Sequence, residues 1–283
     1  MASPRSIAYQ GEPGSNSHSV CVRDYPELES IPCASFEDVF ALVEGGEADL
    51  ALIPIDNSLA GRVADIHHFL PTSSLFIIAE KFLRIRFSLL GLPGTDISDI
   101  RTVHSHVHAL GQCRKVIKEL GLKPIISGDT AGAAREIVEA GDKSQAAISP
   151  PLAAEIYGLD VLREEVEDED HNTTRFVVLS RDFIPAPTGT PAVTTFIFNV
   201  RNIPAALYKA LGGFATNDVN MTKLESYMVG GHFAATQFLA EVDGHPDDAG
   251  LRRALEELAF FTTDIKVIGV YPADAAREEH SRL

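Results

Sequence analysis

The amino-acid sequence predicts an α/β protein of two domains, of which the first is larger and made of two lobes. Short apolar segments alternate with amphipathic ones through residues 1–183, which is typical of α/β lobes with mostly parallel sheets. Residues 184–191 read IPAPTGTP, and their three prolines and one glycine indicate a linker. Residues 192–273 then follow the order strand, helix, strand, strand, helix, strand, which is ferredoxin-like. Residues 274–283 are polar and are predicted to form a tail.

The elements of the first domain follow from apolar runs and from residues that begin and end helices. Ser35 with Asp38 three residues later resembles a capping box, and a glycine follows each predicted helix. The predicted strands are residues 6–9, 50–53, 75–90, 124–127, 146–148 and 175–180. The predicted helices are residues 36–44, 109–120, 130–140 and 152–157. We expect the second strand to stop at Pro54, and the long third strand to cross between the lobes.

The second domain is predicted from the same signals. Pro204 suits the first turn of a helix, because the N–H that it lacks has no partner there. Gly230-Gly231 lies between two apolar runs and indicates a hairpin. The predicted strands are residues 193–200, 220–228, 233–242 and 265–271, and the predicted helices are residues 204–214 and 247–261.

The composition argues against several classes of function. The 283 residues include 40 Asp and Glu against 24 Lys and Arg, a formal net charge of −16. Nucleic acids and anionic membranes bind to basic faces, so neither partner is expected. The chain shows neither a secretory signal core nor an apolar run of about 18 residues, so we expect a cytoplasmic protein without a membrane span. The 3 cysteines form no CxxC pair, which argues against a disulfide framework and a structural zinc site.

Two patterns suggest metal binding and have ordinary alternatives. His104, His106 and His108 alternate in VHSHVH, so three imidazoles on one face of a strand would suit a metal ion. Ordinary histidines at a strand end explain the same pattern. Residues 164–170 contain six acids, but the spacing and the glycine of a calcium loop are absent, which favours a solvated loop.

Three polar segments offer binding groups without a decisive motif. Residues 11–18, GEPGSNSH, place glycines at a helix start, where main-chain N–H groups bind anions, but match neither GxGxxG nor a Walker loop. Residues 54–61, PIDNSLAG, follow a strand, where α/β sheets place binding loops. Residues 172–176, NTTRF, combine an amide, two hydroxyls and a guanidinium that suits carboxylates. An ordinary turn or cap explains each segment equally well.

Taken in order, these segments resemble prephenate dehydratase with a C-terminal ACT regulatory domain, from about residue 7 to residue 271. IAYQGEPGSNSH resembles the family's glycine-rich opening. PIDNSLAG resembles its PIEN(S/T) segment, with Asp56 in place of glutamate. VHSHVHALGQC resembles its SHP…QC segment, with Val107 in place of proline, and NTTRFVVL follows in the family's order.

The resemblance implies a fold, a reaction and a set of site residues. The catalytic part would fold like a type II periplasmic binding protein and convert prephenate to phenylpyruvate, water and carbon dioxide, a carbon–oxygen lyase reaction without metal or organic cofactor. The implied catalytic residues are Thr174, Asn57, Ser105 and Gln112. The implied substrate-binding residues are Arg175, Asp56, Ser58, Thr173 and Phe176. Thr174 is expected to hydrogen-bond or protonate the departing hydroxyl, and Arg175 to hold the pyruvyl carboxylate.

The second domain resembles an ACT domain through RNIPAALYKAL and KLESYM. In the family these segments form a phenylalanine site between ACT domains, which implies a homodimer or homotetramer with L-phenylalanine as allosteric ligand. The implied ligand-binding residues are Ala205, Ala206, Leu207, Asn220, Glu225 and Ser226. Ala205 replaces the family's glycine, and Tyr227 and Met228 replace its Arg–Pro. Dimerisation without phenylalanine binding is the alternative for this domain.

Three other functions stay open on the sequence alone. Arogenate dehydratase has the same fold, with an amino group replacing the keto oxygen of the substrate. A non-catalytic small-molecule sensor would use the two lobes for binding only. A metal-dependent hydrolase would use the histidines of HSHVH.

Overall fold

The computed structural model of the chain describes residues 3–63, 66–201, 203–228 and 235–277. The hairpin predicted at Gly230-Gly231 therefore lies outside the described residues. Within those residues, no helix is long and apolar enough to cross a membrane.

Contacts divide the described chain into two compact units. The first contains residues of Met1–Phe69 and Lys81–Phe176, and the second contains residues of Leu70–Glu80 and Val177–Leu283. Each unit is therefore made of two chain segments, because residues 70–80 of the second unit lie in the sequence between the two segments of the first.

The first unit begins with a parallel sheet of apolar strands. Its elements are β1 (Ser6–Gln10), α1 (Asn16–Asp24), β2 (Glu29–Cys33), α2 (Phe36–Gly45), β3 (Leu50–Asn57), β4 (Gly61–Arg62) and α3 (Ile66–Phe69). β1 pairs in parallel with β2 and with β3. The predicted capping box is confirmed, because Ser35 Oγ accepts from Asp38 N and the Asp38 carboxylate accepts from Ser35 N, each at 3.1 Å. Gly46 ends α2 with a φ of +82°.

A second, five-stranded sheet completes the first unit. The elements that follow in the chain, of which β5 and β11 belong in part to each unit, are β5 (Phe76–Arg84), β6 (Ser88–Gly91), a 3₁₀ helix (Ile97–Asp99), β7 (Thr102–Ser105), α4 (Val107–Gln112), α5 (Arg114–Glu119), β8 (Lys123–Ile126), α6 (Thr130–Ala140), β9 (Gln145–Ser149), α7 (Leu152–Tyr157), β10 (Asp160–Arg163) and β11 (Thr173–Ser180). The strand order is β10-β6-β9-β7-β8. β7 is parallel to both neighbours and β6 antiparallel to both of its own, so this sheet is mixed rather than mostly parallel. β11 begins beside β3 of the first sheet.

Three predicted elements of the first unit are wrong in extent. β3 continues through Pro54. Its pairing with β1 ends at Leu52, so the N–H that Pro54 lacks is not needed for a hydrogen bond to β1. The strand predicted at 75–90 is two strands, because the N–H groups of Ile85 and Phe87 donate to Asn172 O and to Glu167 Oε2 instead of to a ladder. The helix predicted at 109–120 is two helices, α4 and α5, which meet at Cys113.

The second unit contains an antiparallel sheet with two helices. Its elements are β12 (Ala192–Val200), α8 (Ala206–Thr216), β13 (Met221–Met228), β14 (Ala235–Asp243), α9 (Ala249–Phe261) and β15 (Thr262–Pro272). The strand order β13-β14-β12-β15, antiparallel throughout, is that of a ferredoxin-like fold, as the sequence predicts. In its core Phe196 stacks on Phe214, Phe198 stacks on Phe238, and the rings of Phe196 and Phe198 are in tilted contact. α8 begins two residues after Pro204, so the prediction of proline in its first turn is wrong.

A buried ion pair joins residues of the second unit that are far apart in sequence. Arg277 donates from Nε to Glu80 Oε1 at 2.8 Å and from Nη2 to Glu80 Oε2 at 2.7 Å. Asp274 N donates to Glu80 Oε1 at 3.1 Å. The Glu80 side chain is 0% exposed, so these donors replace the water that would otherwise solvate its carboxylate.

Candidate active site

The end of β3 and the start of β11 bring two of the predicted catalytic residues into contact. Asn57 is the last residue of β3, and Thr174 is the second residue of β11. Asn57 Nδ2 donates to Thr174 Oγ1 at 2.9 Å. Thr174 is 9% exposed, so this hydrogen bond lies in a largely water-free environment. Strand pairing thus juxtaposes an amide and a hydroxyl that are 117 residues apart in the sequence.

The side chain of Asn57 has a fixed orientation. Its Oδ1 accepts from the main-chain N–H groups of Leu59 at 3.0 Å and Ala60 at 2.8 Å. Its Nδ2 therefore faces away from the turn and donates to Thr174 and to Asn172 Oδ1, the latter at 2.7 Å. Both amide hydrogens are used, so Thr174 Oγ1 acts as an acceptor toward Asn57. The hydroxyl hydrogen of Thr174 points elsewhere, and no described residue accepts it.

Asn172 extends this contact to a third predicted catalytic residue. Its Nδ2 donates to Gln112 Oε1 at 3.1 Å, and its own side chain is buried, at 2% exposure. Asn57, Thr174 and Gln112 thus belong to one hydrogen-bonded cluster with Asn172 at its centre. Asn172 lies within the NTTRF segment but is not among the site residues that the sequence predicts. An amide in a segment before a buried strand was the signal that could have identified it.

The main chain of Gln112 is held by the acidic run at 164–170. Asp168 N donates to Gln112 O at 2.6 Å. The Asp168 carboxylate accepts from the N–H groups of Arg114 and Lys115, each at 3.0 Å, and so caps the start of α5. The same run supplies Glu167, which accepts from Phe87 N at 2.9 Å. The segment is a loop with four of its six acids exposed, as the sequence predicts, and its other two acids, Glu167 and Asp168, bind main-chain N–H groups as well.

Ser58 and Thr173 bind each other through one main-chain hydrogen bond and one that the Ser58 hydroxyl accepts. Ser58 N donates to Thr173 O and Thr173 N donates to Ser58 Oγ, each at 2.9 Å. Ser58 Oγ also donates to His171 O at 3.1 Å. The observed role of Ser58 is therefore to tie the loop after β3 to the start of β11.

Arg175 lies on the other face of β11. Neighbouring residues of a strand point to opposite faces, so Arg175 and Thr174 face apart. Arg175 Nη1 lies 3.5 Å from Asp56 Oδ2, and their side chains are 10% and 32% exposed. Asp56 and Asn57 face apart in β3 in the same way, so each joins a different residue of β11. Phe176, 1% exposed, is buried in the core.

Ser105 is separate from the amide cluster. It is the last residue of β7, is fully buried and donates its hydroxyl to Ile148 O. Among the described residues, no hydrogen bond joins it to Asn57, Thr174 or Gln112. Its carbonyl accepts from Ser127 N at 2.9 Å, which fixes the end of β7 beside β8.

The alternating histidines do not converge. β7 ends at Ser105, so His106 lies outside the strand and caps α4, its Nδ1 accepting from His108 N at 3.4 Å. His104 lies beside Thr102, with 3.4 Å between Nε2 and Oγ1. Burial lowers the pKa of His104 and of His106, and the charge of His108 lowers that of His106 further. Among the described residues no group of three His, Cys, Asp or Glu side chains is placed to hold a metal ion.

The glycine-rich turn after β1 borders a cavity of about 400 Å³. The cavity is lined by Gln10, Gly11, Glu12, Pro13, Pro32, Cys33, Ala34 and Asp129. His18 supports this turn, because its Nδ1 accepts from Gly14 N at 3.0 Å, and burial lowers its pKa. Glu12 and Asp129 make the lining acidic, which favours an ordinary strand–helix turn over the anion-binding loop that the sequence left open.

In the second unit, the predicted phenylalanine-binding residues lie at the start of α8 and along β13. Ala205 adopts the left-handed conformation, with φ +61°, that glycine adopts without strain. Ala206 is buried, Leu207 is half-buried and Ser226 is exposed. Asn220 Nδ2 donates to Asp243 Oδ2 at 2.7 Å, and Glu225 lies 3.1 Å from Lys223 Nζ. Tyr227, one of the departures from the family pattern, donates to Glu225 at 3.4 Å.

Comparisons with known proteins identify the family of the chain. Residues 7–183 match the family model described as prephenate dehydratase. The chain is 49% identical to the "Bifunctional N-acyl-homoserine lactone acylase/prephenate dehydratase" of Komagataeibacter europaeus, over 99% of this chain and 100% of that protein. It is 35% identical to "Arogenate dehydratase/prephenate dehydratase 2, chloroplastic" of Arabidopsis thaliana, over 95% of this chain and 73% of that protein.

A solved structure gives the same result. The prephenate dehydratase of Arthrobacter aurescens, crystallised in complex with L-Phe, superposes with a TM-score of 0.86 at 30% identity, covering 95% of this chain and 90% of that one. The matched residues 7–183 contain Asn57, Gln112, Asn172 and Thr174. The chain therefore belongs to the prephenate dehydratase family.

Proposed function

We propose that the protein is a prephenate dehydratase whose active site is built around Thr174, Asn57 and Gln112. The observation that carries this proposal is the polarity of the cluster. Asn57 Nδ2 donates to the hydroxyl oxygen of Thr174, so the hydroxyl hydrogen of Thr174 is directed toward a different acceptor. A leaving hydroxyl needs a donor of this kind, and the surrounding burial strengthens the interaction.

The proposed reaction balances with one added proton. The bond between the ring and its carboxylate breaks, and the electron pair moves into the ring as the ring becomes aromatic. The C–O bond of the ring hydroxyl breaks at the ring carbon opposite the one that loses the carboxylate. The hydroxyl oxygen leaves as water after taking up the proton. Products are phenylpyruvate, carbon dioxide and water. Thr174 donates a hydrogen bond to the departing oxygen, and positioning contributes more than acidity because a threonine hydroxyl is a weak acid.

The neutral amides suit the departing carboxylate. Its charge disperses in the transition state, so a neutral lining disfavours the reactant more than the transition state. Asn57, Asn172 and Gln112 supply such a lining without a cation. Ser105 would reach the substrate only if its hydroxyl exchanged Ile148 O for a substrate oxygen.

Arg175 is our proposal for the pyruvyl carboxylate, with Asp56 as its neighbour. Its guanidinium is beside Asp56 rather than beside Thr174, so the substrate would have to reach both faces at the start of β11. We expect Arg175→Met to raise KM about tenfold or more with kcat little changed, as for loss of a substrate contact. If Arg175 only pairs with Asp56, Arg175→Met will lower the melting temperature and leave KM unchanged.

The experiment that tests the proposed activity is direct. Purified protein is mixed with prephenate, and phenylpyruvate and carbon dioxide are followed together. Equal rates of appearance support the proposal, and their absence in wild-type protein refutes it. Arogenate in place of prephenate tests the alternative that the Arabidopsis relative's name suggests, and the ratio of the two kcat/KM values decides between them.

A second candidate activity is hydrolysis of N-acyl-homoserine lactones at the amide bond. It is favoured by the name of the Komagataeibacter relative, which the chain matches over nearly its whole length at 49% identity. Release of free homoserine lactone from an acylated substrate tests it. Assaying Thr174→Val in both reactions shows whether one site performs them, because only a shared site would lose both activities.

We propose that phenylalanine regulates the enzyme through an ACT domain at residues 192–273, joined by the linker 184–191 to a catalytic part at 1–183. The L-Phe complex of the Arthrobacter protein supports this, as does the ferredoxin-like order of β12 to β15. Ala205 keeps the glycine-like backbone that the site needs. The catalytic part is proposed to have the type II periplasmic-binding-protein fold, and the protein to be a cytoplasmic homodimer or homotetramer. A change in oligomer mass or in KM on adding phenylalanine tests the regulation.

A further inference from the structure

We infer that Asn172 is a positioning residue, which sets the direction in which the Gln112 amide faces. The inference rests on the proposed dehydratase function, since Gln112 belongs to the proposed active site. It extends that function to a residue whose side-chain hydrogen bonds join two site residues, Asn57 on one side and Gln112 on the other.

The direction is set first at Asn57. A primary amide has an acceptor end and a donor end of nearly the same shape, so only its hydrogen-bond partners distinguish the two orientations. Two main-chain N–H groups, of Leu59 and Ala60, face one end of the Asn57 side chain at 3.0 and 2.8 Å. That end must be the oxygen, because an amino group there would oppose two donors. The amino group of Asn57 therefore faces Asn172.

The orientation of the Asn57 amide in turn determines the orientation of the Asn172 amide. Since Asn57 presents a donor at 2.7 Å, Asn172 must present its oxygen in return. Its amino group is left for the opposite side, where Gln112 lies at 3.1 Å. At 2% exposure, a reversed Asn172 has no ready access to bulk water that would satisfy the opposed groups.

The last member of the chain is Gln112. It must present Oε1 to Asn172, so its amino group faces the other way. No described residue accepts a hydrogen from that amino group, and the side chain is partly exposed. Gln112 Nε2 and the Thr174 hydroxyl are thus both donors whose hydrogens have no protein partner in the described residues, which suits a substrate with two carboxylates and a leaving hydroxyl.

The test is Asn172→Asp. An aspartate has the same shape and still accepts from Asn57, but it has no amino group, so Gln112 must turn over and present its own amino group to Asp. The site then gains a carbonyl oxygen where it had a donor. We expect kcat/KM for prephenate to fall about 10- to 100-fold, the effect of losing a hydrogen bond to a charged group. The double-mutant cycle uses Asn172→Ala, which adds no charge to the neutral lining. In a Gln112→Ala background this change is expected to lower kcat/KM by no more than about twofold, because the residue acts through Gln112.

Controls separate this role from a structural one. Asn217→Asp makes the same chemical change in the second unit, where Asn217 Nδ2 donates to Gly213 O at 2.8 Å, and is expected to leave kcat/KM within about twofold of wild type. If Asn172→Asp does not fold, Asn172→Ala removes the constraint on Gln112, and the same cycle with Gln112→Ala applies. A drop in melting temperature with unchanged kcat/KM would mean a structural role and overturn the inference. So would a loss of kcat/KM that is the same in the wild-type and in the Gln112→Ala background.

A second readout does not depend on turnover. The side-chain amide resonances of Gln112, assigned by their loss in Gln112→Ala, are expected to shift in Asn172→Asp, because the group to which they donate changes. Unshifted resonances would overturn the inference. If wild-type protein forms no phenylpyruvate, the proposed function fails, and these resonances alone decide on the positioning role.

Discussion

Thr174→Val separates the chemical role of the Thr174 hydroxyl from its structural one. Valine has nearly the same shape and is also β-branched, so β11 keeps its packing without a cavity. The structural cost is the acceptor that Asn57 Nδ2 loses at 2.9 Å, about 1–3 kcal/mol for a buried donor left unsatisfied. That is less than the about 5–15 kcal/mol by which domains are usually stable, so the variant is expected to fold.

The catalytic cost is expected to be larger. A positioned donor to a leaving group contributes about 10²- to 10⁴-fold in rate, which corresponds to about 3–5 kcal/mol of transition-state stabilisation. We expect kcat of Thr174→Val to fall by that factor, measured as phenylpyruvate formed from saturating prephenate. Thr174→Ser keeps the hydroxyl and is expected to retain kcat within about tenfold.

The matched control is Thr194→Val. Thr194 is also a buried strand threonine, 0% exposed, and donates to Gly244 O at 2.7 Å in the second unit. It therefore loses one hydrogen bond at a similar structural cost and is expected to keep kcat within about twofold. The reasoning is refuted if Thr174→Val keeps kcat near wild type, or if Thr194→Val loses as much.

Three further predictions concern single residues outside the catalytic step. Ala205→Gly is expected to raise the free energy of unfolding by about 0.5–1 kcal/mol and the melting temperature by about 1–3 °C, because it removes the strain of a left-handed alanine at φ +61°; a lower melting temperature would contradict this. Asp168→Ala removes the cap of α5 and is expected to lower the free energy of unfolding in urea by about 0.5–2 kcal/mol, whereas Asp170→Ala, an exposed neighbour, changes it by less than about 0.5 kcal/mol. Burial lowers the pKa of His18, so below about pH 6.5 the unfolded chain binds a proton that the folded chain resists, and stability is lost as the pH falls. His18→Asn supplies an oxygen in place of Nδ1 and is expected to show a smaller fall in melting temperature between about pH 7.5 and 5.5 than wild type; equal falls would mean that His18 is not the cause.

The sequence predicts the fold best where local signals are strong. The helices at Thr130–Ala140 and Leu152–Tyr157 have the predicted bounds, because each ends at a glycine with positive φ. The strands β2 and β10 were not predicted, because they lie at the ends of their sheets and bury only part of their residues. Their strand conformation comes from pairing with a neighbour rather than from an apolar pattern of their own.

Prediction of the candidate site succeeds for residue types and fails for their contacts. The segments PIDNSLAG and NTTRF were identified, but the bond between Asn57 and Thr174 joins residues 117 positions apart and needs the folded sheet to be seen. Asn172 was missed for the same reason, because its two partners come from different segments. The break at Cys113 was missed because its cause, Asp168, lies 54 residues from Arg114.

The pairing of Glu80 with Arg277 has a consequence for biosynthesis. The two residues are 197 positions apart, and translation makes Glu80 long before the residue that binds it. The nascent chain therefore carries residues 70–80 through most of synthesis without their final partner, while the first unit's residues 81–176 are made. The second unit reaches its final set of contacts only after Arg277 has left the ribosome. Chains that terminate early before this residue are consequently expected to present an incomplete sheet to chaperones and proteases.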